Sequence, residues 1–236
     1  MLRQIIYLLL CFVPVNVISQ NAGDSINRTD ANGMKQGFWK KYDETGMLKY
    51  EGNFIDNNPV GEFIYFYPDG VVKARSRFYE RGDRSETTTF HHIGKKMTEG
   101  FYLGQVKDSL WKYYSSDGIL LKDEFYRYGK KEGKWITYYE NGQISEEVEW
   151  KADSKNGIWK QYYPDGQLKL TGQHINGEKD GEFKYYNTSG KLDVYGSYHS
   201  SLREGEWFYL NEESKVIKKE IYKNGNLIDE VKYEDR

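Results

Sequence analysis

Residues 157–168 read GIWKQYYPDGQL, and the same pattern returns along the chain at intervals of 24 residues. Segments of the form Gly-x-Trp or Gly-x-Phe start at residues 37, 61, 133, 157, 181 and 205, and the one longer interval is three times 24. The two starts missing from this series fall on Ser85 and Ser109. Eight units of 24 residues therefore run from residue 37 to residue 228 without an insertion. A fixed period of this length indicates a repeat architecture.

Four positions hold the register, counted from zero at the first residue of each unit. Position 2 is aromatic in seven units, namely Trp39, Phe63, Trp111, Trp135, Trp159, Phe183 and Trp207. Position 9 is glycine in seven units, namely Gly46, Gly70, Gly94, Gly118, Gly142, Gly166 and Gly190. Positions 5 and 17 are also aromatic in seven units each, with Leu210 and His174 as their exceptions. So many regular aromatic and glycine residues suit pleated strands closed by tight turns better than helices.

Each unit has the pattern of a β-hairpin. In the turn at residues 163–166, a proline fixes φ, an aspartate bonds back to the backbone and a glycine adopts the left-handed conformation. The second strand is predicted to start at the aliphatic residue after each turn, at Leu48, Val72, Leu120, Ile144, Leu168, Leu192 and Val216. A polar connector, such as residues 177–180, leads to the next unit. A three-residue loop would pair Tyr114 and its equivalents with the Leu120 ladder, whereas a four-residue loop would place the Trp ladder there.

A single hairpin is marginal in water, so the units must stack and bury their aromatic residues against neighbours. The predicted fold class is therefore all-β, an elongated array of eight 24-residue antiparallel β-hairpins with starts at 37, 61, 85, 109, 133, 157, 181 and 205. Residues 21–36 are predicted to be a flexible lead, and residues 229–236 a C-terminal tail.

The repeat resembles the MORN repeat family, in the variant with the pattern Gly-x-Trp-x-x-Tyr-Tyr-x-x-Gly-x-Leu-x-x-x-Gly. The unit that starts at residue 157 carries the match through Gly157, Trp159, Tyr162, Tyr163, Gly166, Leu168 and Gly172. The unit that starts at Ser85 departs most from the pattern, and it is expected to bulge or bend the array. The resemblance implies a single-layer MORN-type ribbon with roles in scaffolding and protein binding. It also implies a relation to bacterial YwqK-type antitoxin-like proteins.

Residues 1–20 have the pattern of a secretory signal peptide. Arg3 precedes an apolar stretch over residues 5–13, and Ser19 or Gln20 is the expected cleavage site. The apolar stretch is too short for a stable membrane span, so no span is predicted after cleavage. Cys11, the only cysteine, lies within this segment, and the mature chain therefore has no disulfide or thiolate site. The predicted location is outside the cytoplasm, periplasmic or extracellular.

Consecutive tyrosines indicate that both faces of the ribbon carry rings, because neighbouring side chains of a strand point to opposite faces. The regular ladders are expected to form the core, and the irregular tyrosines to be exposed. The candidate partner-binding residues are Tyr65, Tyr67, Tyr113, Tyr139, Tyr163, Tyr185 and Tyr209. Exposed tyrosine rows suit protein or glycan surfaces, although such rings also pack simply between lysine stems.

No catalytic, cofactor-binding or metal-binding residue is predicted. The row Asp69, Asp117, Asn141 and Asp165 precedes the turn glycines, and turn chemistry explains it without calcium. His91 and His92 have no acidic or histidine partner at a ligand spacing in the sequence, and two solvated imidazoles are expected. Phosphate-loop, kinase and hydrolase-elbow motifs do not occur. A carboxylate pair for glycoside cleavage is not excluded by counting, but a regular array offers equivalent shallow sites rather than one pocket.

A net charge of −2 without a long run of either sign argues against a nucleic-acid or anionic-membrane partner. The sequence therefore predicts an exported, non-enzymatic repeat scaffold that binds a protein partner through its ribbon surface. The first alternative is an antitoxin or immunity-like protein that neutralises a toxin. The second alternative is a glycan- or envelope-binding protein, which a continuous exposed groove of tyrosines would favour.

Overall fold

A computed structural model describes residues 26–233, which form one open antiparallel sheet of 20 strands and a single 3₁₀ turn. The strands are β1 (Arg28–Thr29), β2 (Lys35–Tyr42), β3 (Leu48–Ile55), β4 (Asn58–Phe66), β5 (Val72–Tyr79), β6 (Arg84–Phe90), β7 (Lys96–Leu103), β8 (Val106–Tyr114), β9 (Leu120–Arg127), β10 (Lys130–Lys131), β11 (Gly133–Tyr138), β12 (Ile144–Lys151), β13 (Ser154–Tyr162), β14 (Leu168–Ile175), β15 (Glu178–Lys179), β16 (Gly181–Tyr186), β17 (Leu192–His199), β18 (Leu202–Leu210), β19 (Val216–Lys223) and β20 (Asn226–Lys232).

The sheet is a meander in which each strand pairs with the strands that precede and follow it in the chain. Two breaks modify this rule, since β9 pairs with both β10 and β11, and β14 pairs with both β15 and β16. The second strands start at the seven aliphatic residues predicted from the sequence. The all-β prediction and the hairpin array are therefore confirmed.

One long edge of the ribbon, the loop edge, consists of three-residue loops. In the hairpin that joins β8 to β9, the Ser115 amide donates to the Ile119 carbonyl at 2.9 Å, and Tyr114 pairs with Leu120. Gly118 closes the loop at φ +88°, and its amide donates to the Ser115 carbonyl at 2.9 Å, as expected for a type I turn followed by a glycine bulge. Of the two pairings that the sequence left open, the structure has the one with the Tyr114–Leu120 ladder.

The other long edge, the connector edge, consists mostly of two-residue turns. The turn between β3 and β4 has Asp56 and Asn57 at φ +50° and +65°, which is the geometry of a type I′ hairpin. The polar connectors are therefore tight hairpin turns that continue the sheet. Successive turns are joined through the backbone, for example by the Gly129 amide, which donates to the Lys107 carbonyl at 2.8 Å. We call each such bond between neighbouring turns a stitch.

Position 0 of the repeat forms a bulge opposite the preceding strand. Gly61 adopts φ +68° there, and the register between β3 and β4 shifts at this point. Ser109 adopts φ +60° at the same position, in the left-handed region that glycine tolerates best. The opening glycine of the repeat is therefore needed by the backbone, and serine can replace it only with strain.

Unit three, residues 85–108, pairs with the preceding strand without this bulge. Ser85 is not among the residues with positive φ, and β5 pairs with β6 without a register shift. The two residues that form the bulge elsewhere lie in a longer turn, the 3₁₀ segment Glu80–Gly82. The expectation that this unit bulges is therefore wrong for this strand pair, because the irregularity has moved into the turn.

The ends of the described chain are more ordered than the sequence suggested. Within the predicted flexible lead, residues 28 and 29 form β1, which pairs with β2 through Arg28 and Gln36. The predicted tail also continues in β20 as far as Lys232. The predicted signal peptide, with Cys11, lies outside the described residues.

Candidate functional site

The aromatic face of the sheet carries the rings of positions 2 and 17. These rings contact one another across units, mostly edge to face. The ring centroid of Phe63 lies 5.1 Å from those of Phe54 and Phe78, and Trp207 lies 5.0 Å from Tyr198. Edge-to-face contacts at this distance are favourable beyond the area that they bury. The two ladders therefore form a column of rings along the ribbon, and Thr87 interrupts this column in unit three.

Glycine at position 15 lets some of these rings lie flat on the sheet. A Cβ built on Gly196 would lie 2.3 Å from the indole of Trp207, and one on Gly100 would lie 2.4 Å from that of Trp111. The ring is buried in each of the four units where the preceding unit has this glycine, namely at Phe63, Trp111, Phe183 and Trp207. The absence of a Cβ at position 15 thus allows side chains to be fully buried in a single-layer sheet.

A column of cations covers the rings from the solvent side. These cations are Lys107, Lys131, Lys155, Lys179 and Arg203 at position 22 of five units, and Lys35 at the equivalent place before the first unit. Each lies over at least one ring. The Lys179 ammonium lies 5.3, 5.5 and 5.0 Å from the centroids of Trp159, Phe183 and Tyr198. Cations within about 6 Å of a ring face are attracted by its quadrupole, and their stems shield the ring.

Two buried carboxylates, four repeats apart in sequence, occupy position 15 in place of glycine. Glu124 accepts a hydrogen bond from Tyr126 at 2.9 Å, and Lys107 donates to the neighbouring Tyr113 hydroxyl. The equivalent cluster in the last unit contains Glu220, Tyr222, Tyr209 and Arg203, with Lys218 in addition. These clusters place a charged group within the aromatic column and satisfy it with hydroxyl and cationic donors.

The hydrogen bonds within these clusters set the protonation states. Burial opposes ionisation of Glu220, but hydrogen bonds from Lys218, Tyr209 and Tyr222 outweigh it and lower its pKa to about 2. Burial and the Glu124 carboxylate raise the pKa of Tyr126 to about 12. At neutral pH the carboxylate of Glu220 is therefore ionised and Tyr126 is protonated, a combination that suits a structural ion cluster.

Four of the seven candidate tyrosines lie on the aromatic face at position 4. Tyr65, Tyr113, Tyr185 and Tyr209 are each half-buried, and three of their hydroxyls are hydrogen-bonded within the chain. Burial raises the pKa of Tyr65, and the neighbouring Tyr50 raises it further. The expectation that these four tyrosines are exposed is wrong, because their rings continue the column.

The other three candidates, at position 6, tie neighbouring hairpins together. The hydroxyls of Tyr67, Tyr139 and Tyr163 donate to the carbonyls of Phe90, Tyr162 and Tyr186 in the next unit, at 3.0, 2.7 and 2.8 Å. These tyrosines are also half-buried. The seven tyrosines do not form one exposed groove, so the observation that would have favoured glycan binding is not made. Their part in partner binding stays a prediction.

Cross-strand ion pairs cover much of the opposite face, which we call the charged face. Lys40 pairs with Glu51 at 3.2 Å, and Lys112 pairs with Asp123 at 3.1 Å. The tyrosines of position 5 also point to this side, where the hydroxyl of Tyr162 donates to Glu147 at 3.1 Å. This face is therefore largely paired within the chain.

The connector edge carries exposed apolar side chains. Six of its nine turns in the described chain have one, with exposed fractions between 36 and 70% at Ile55, Tyr79, Val106, Tyr128, Ile175 and Leu202. Successive turns are two strands apart, or about 10 Å. The three-residue loops of the loop edge have only two exposed large apolar residues, Met47 and Ile93. One edge of the ribbon is thus much more apolar than the other.

The Asp and Asn side chains before the turn glycines accept hydrogen bonds within their own loops. The side chains of Asp69, Asn141 and Asp165 accept bonds from the amide two residues onward, at 3.2, 3.0 and 3.0 Å. Within residues 26–233, no group of three or more His, Cys, Asp or Glu side chains is placed to hold a metal ion. Over the same range, no helix is long and apolar enough to cross a membrane.

The histidine pair differs from its sequence interpretation. The His91 ring nitrogen Nε2 bonds with the Tyr114 carbonyl at 2.9 Å, in the role that Tyr67 has in the preceding unit. His92 has an acidic partner after all, because its Nε2 lies 3.2 Å from Asp69. The two imidazoles therefore join neighbouring loops.

Two features of this surface escaped the sequence interpretation. The cation column has a signal, since Lys107, Lys131, Lys155 and Lys179 recur at intervals of 24 residues. The apolar connector edge has a weaker signal, because five of its six residues are divided between two positions that pair across a turn, as Leu103 does with Val106, and Tyr128 lies in a turn itself. Its alignment becomes visible only once the turns are known to be two residues long.

An open single-layer sheet of repeated hairpins, without an enclosed pocket that dominates it, defines a repeat scaffold. The family model described as MORN repeat variant matches five segments, residues 35–56, 59–81, 131–152, 155–176 and 179–200. The assignment made from the residues is therefore confirmed for these repeats, and the YwqK-type relation stays a prediction. Residues 82–130, which include unit three, lie outside the matched segments. Among curated proteins, no sequence matches the chain.

Two solved structures are similar in part. The crystal structure of TcdB2-TccC3 is 11% identical with a TM-score of 0.25, and the match covers 88% of this chain and 14% of that one. A mutant of the Photorhabdus luminescens Tc holotoxin pore is 11% identical with a TM-score of 0.24, covering 84% and 13%. The chain thus spans only a small part of the length of these proteins, and neither similarity bears on function.

Proposed function

We propose that the protein is an exported, non-enzymatic scaffold that binds a protein partner along its connector edge. The observation that carries the proposal is the row of exposed apolar side chains on six of the nine connector-edge turns in the described chain. Single exposed apolar residues are ordinary, but an aligned row is typical of a contact surface.

The distribution of polar groups supports the choice of this edge. The aromatic face is covered by its own lysines, and the charged face is largely paired in cross-strand ion pairs. At the connector edge, Ile55 and Ile175 lie beside turns whose backbone groups already bond with the neighbouring turn. A partner can therefore bury these side chains without leaving turn amides unpaired.

The test uses the full chain with a C-terminal tag, expressed in its own organism. The connector variant is Ile55→Lys with Ile175→Lys, and the matched control is Met47→Lys with Ile93→Lys on the loop edge. We expect one specific partner to be recovered with the wild type and with the control, and to be lost with the connector variant. Tagged protein should be found outside the cytoplasm with the first twenty residues removed.

Each part of the proposal has its own contrary result. A partner retained by the connector variant but lost by the loop-edge control would show that the wrong edge was chosen. Recovery of no partner from any fraction would remove the binding function. Full-length tagged protein that stays in the cytoplasm would contradict export.

A further inference from the structure

A groove of about 510 Å³ opens on the aromatic face at unit three. Its floor includes Ser76, Ser85 and Thr87, and its walls include Phe78 and Tyr102. Thr87 occupies position 2, where the other seven units have Trp or Phe. The groove is therefore the space that an aromatic ring fills elsewhere in the array.

The walls of the groove have the arrangement that flanks a ring in other units. Phe183 lies between His174 and Tyr198, with centroid distances of 6.5 and 4.8 Å. In unit three, the two flanking positions hold Phe78 and Tyr102. Phe78 contacts only the ring on its outer side, Phe63 at 5.1 Å, and Tyr102 likewise contacts Trp111 at 4.8 Å. A ring placed between them would complete the column with edge-to-face contacts on both sides.

The groove also has no position-22 cation above it. Position 22 of the preceding unit is Asp83, where five other units have a lysine or arginine over the rings. Asp83 is exposed and does not line the groove. A side chain from outside can thus enter without displacing a position-22 cation, although the groove is also lined by Lys73.

The floor of the groove offers hydrogen-bond acceptors. Ser76 and Thr87 bond to each other through their hydroxyls at 2.8 Å. Each hydroxyl has one donor and two acceptor positions, so the pair keeps acceptor capacity toward the groove. The buried Ser85 adds a third hydroxyl to the floor. An aromatic side chain with its own donor, the indole of Trp or the phenol of Tyr, fits this floor better than Phe.

We infer that the groove of unit three binds one tryptophan or tyrosine side chain of a protein partner, which takes the place of the missing ring at position 2. The inference deepens the proposed function and rests on it for the source of the side chain. It adds a specific pocket at one point of the ribbon to the extended apolar edge.

The binding test uses N-acetyl-tryptophanamide as the probe and amide chemical shifts of the full chain as the measurement. We expect shifts confined to the groove, at Thr87 and Tyr102 above all, with a Kd on the order of 1 mM, as suits one isolated side chain. Thr87→Trp fills the groove from within and should weaken binding at least about tenfold. The matched control is Thr88→Trp, which adds the same indole one residue later on the opposite face and should bind like the wild type.

A second blocking variant, Ser76→Leu, keeps the test valid if Thr87→Trp fails to fold, and it should also weaken binding at least about tenfold. Absence of shifts in the wild type would overturn the inference, and so would equal binding by a folded blocking variant. Groove shifts with methyl glucoside but not with the indole probe would overturn it in favour of a glycan site. Probe binding without any partner in the recovery experiment would leave the groove standing while the scaffold function failed.

Discussion

Trp207 and Thr87 occupy the same position of the repeat, and their surroundings differ in all but one respect. Trp207 is fully buried, because its ring lies over Gly196 and under Arg203, whose guanidinium carbon is 4.2 Å from the ring centroid. Beneath Thr87 lies Ser76, and the place that Arg203 takes opposite Tyr198 is held by Ser85 opposite Phe78. Only the flanking rings are kept in both regions. Burial of a ring in a single-layer sheet therefore goes with a small residue below and rings beside it, and at Trp207 a cation above the ring completes the cover.

Two intermediate cases show that the residue below decides complete burial. Trp135 and Trp159 have aromatic neighbours and lysines above them. The residues at position 15 of the preceding units are Glu124 and Val148 rather than glycine, and both indoles are only half-buried. Substitutions that change the ring, the residue below it, the cation above it or the neighbouring ring, one at a time, test this difference between the two regions.

Removing the ring itself should have the largest effect. We expect Trp207→Thr to lower the free energy of unfolding by about 3–5 kcal/mol, because a fully buried indole leaves a cavity that the sheet cannot close. Urea denaturation followed by circular dichroism measures the change. Thr87→Ala is the control, and its cost should stay below about 1.5 kcal/mol, since it loses one hydroxyl pair. Similar losses in both variants would contradict the comparison.

Filling the space below the ring should have the next largest effect. We expect Gly196→Ala to cost about 2–3 kcal/mol, because the new methyl group would lie 2.3 Å from the indole and force it outward. The same denaturation measurement applies, with increased solvent quenching of Trp207 as a second readout. Ser76→Ala, at the same repeat position with no ring above it, should cost about 1 kcal/mol. A neutral Gly196→Ala variant would show that glycine is not required for ring burial.

Removing the cation above the rings should have a smaller effect. Lys179→Met keeps an apolar stem of similar length but loses the charge over Trp159, Phe183 and Tyr198. We expect a loss of about 1 kcal/mol in unfolding free energy. Lys160→Met, on the charged face, is the matched control and should change stability by less than about 0.5 kcal/mol. Equal effects of the two variants would assign the contribution of Lys179 to its stem.

The smallest effect is expected at His174, whose ring lies next to Trp159, and this effect depends on pH. Burial and the nearby Lys155 and Lys179 lower the pKa of His174 below its usual 6.5. The unfolded chain then binds the proton more readily, so this site loses stability as the pH falls below about 6.5 and regains it as the pH rises. We expect His174→Tyr, which restores the usual residue type at position 17, to remove part of the fall in melting temperature between pH 7.5 and 5.5. An unchanged pH profile would show that His174 titrates alike in the folded and unfolded chain.

The period, the hairpins and the second-strand starts could be predicted from the sequence because each depends on local turn chemistry, as at Pro164 and Gly166. The exposure of individual tyrosines could not, since it depends on how rings pack across units. Tyr113 and Tyr139 look alike in sequence, yet the first joins a buried carboxylate cluster and the second bonds to the next loop. The altered turn before unit three also had no clear signal, because Ser109 keeps the bulge that Ser85 loses.

The long turn before unit three has a consequence for how the ribbon transmits stability. The Asp83 amide bonds within its own turn, to the Glu80 carbonyl at 3.4 Å, and in the described chain no stitch reaches back from this turn to the Pro59 carbonyl. Units of a repeat array exchange stability only with their immediate neighbours. Six regular residue pairs still join β5 to β6. We therefore expect lower cooperativity across this boundary than across a stitched connector, so that the ribbon unfolds as two coupled blocks, one ending at Tyr79 and the other starting at Arg84, with the groove beside the boundary.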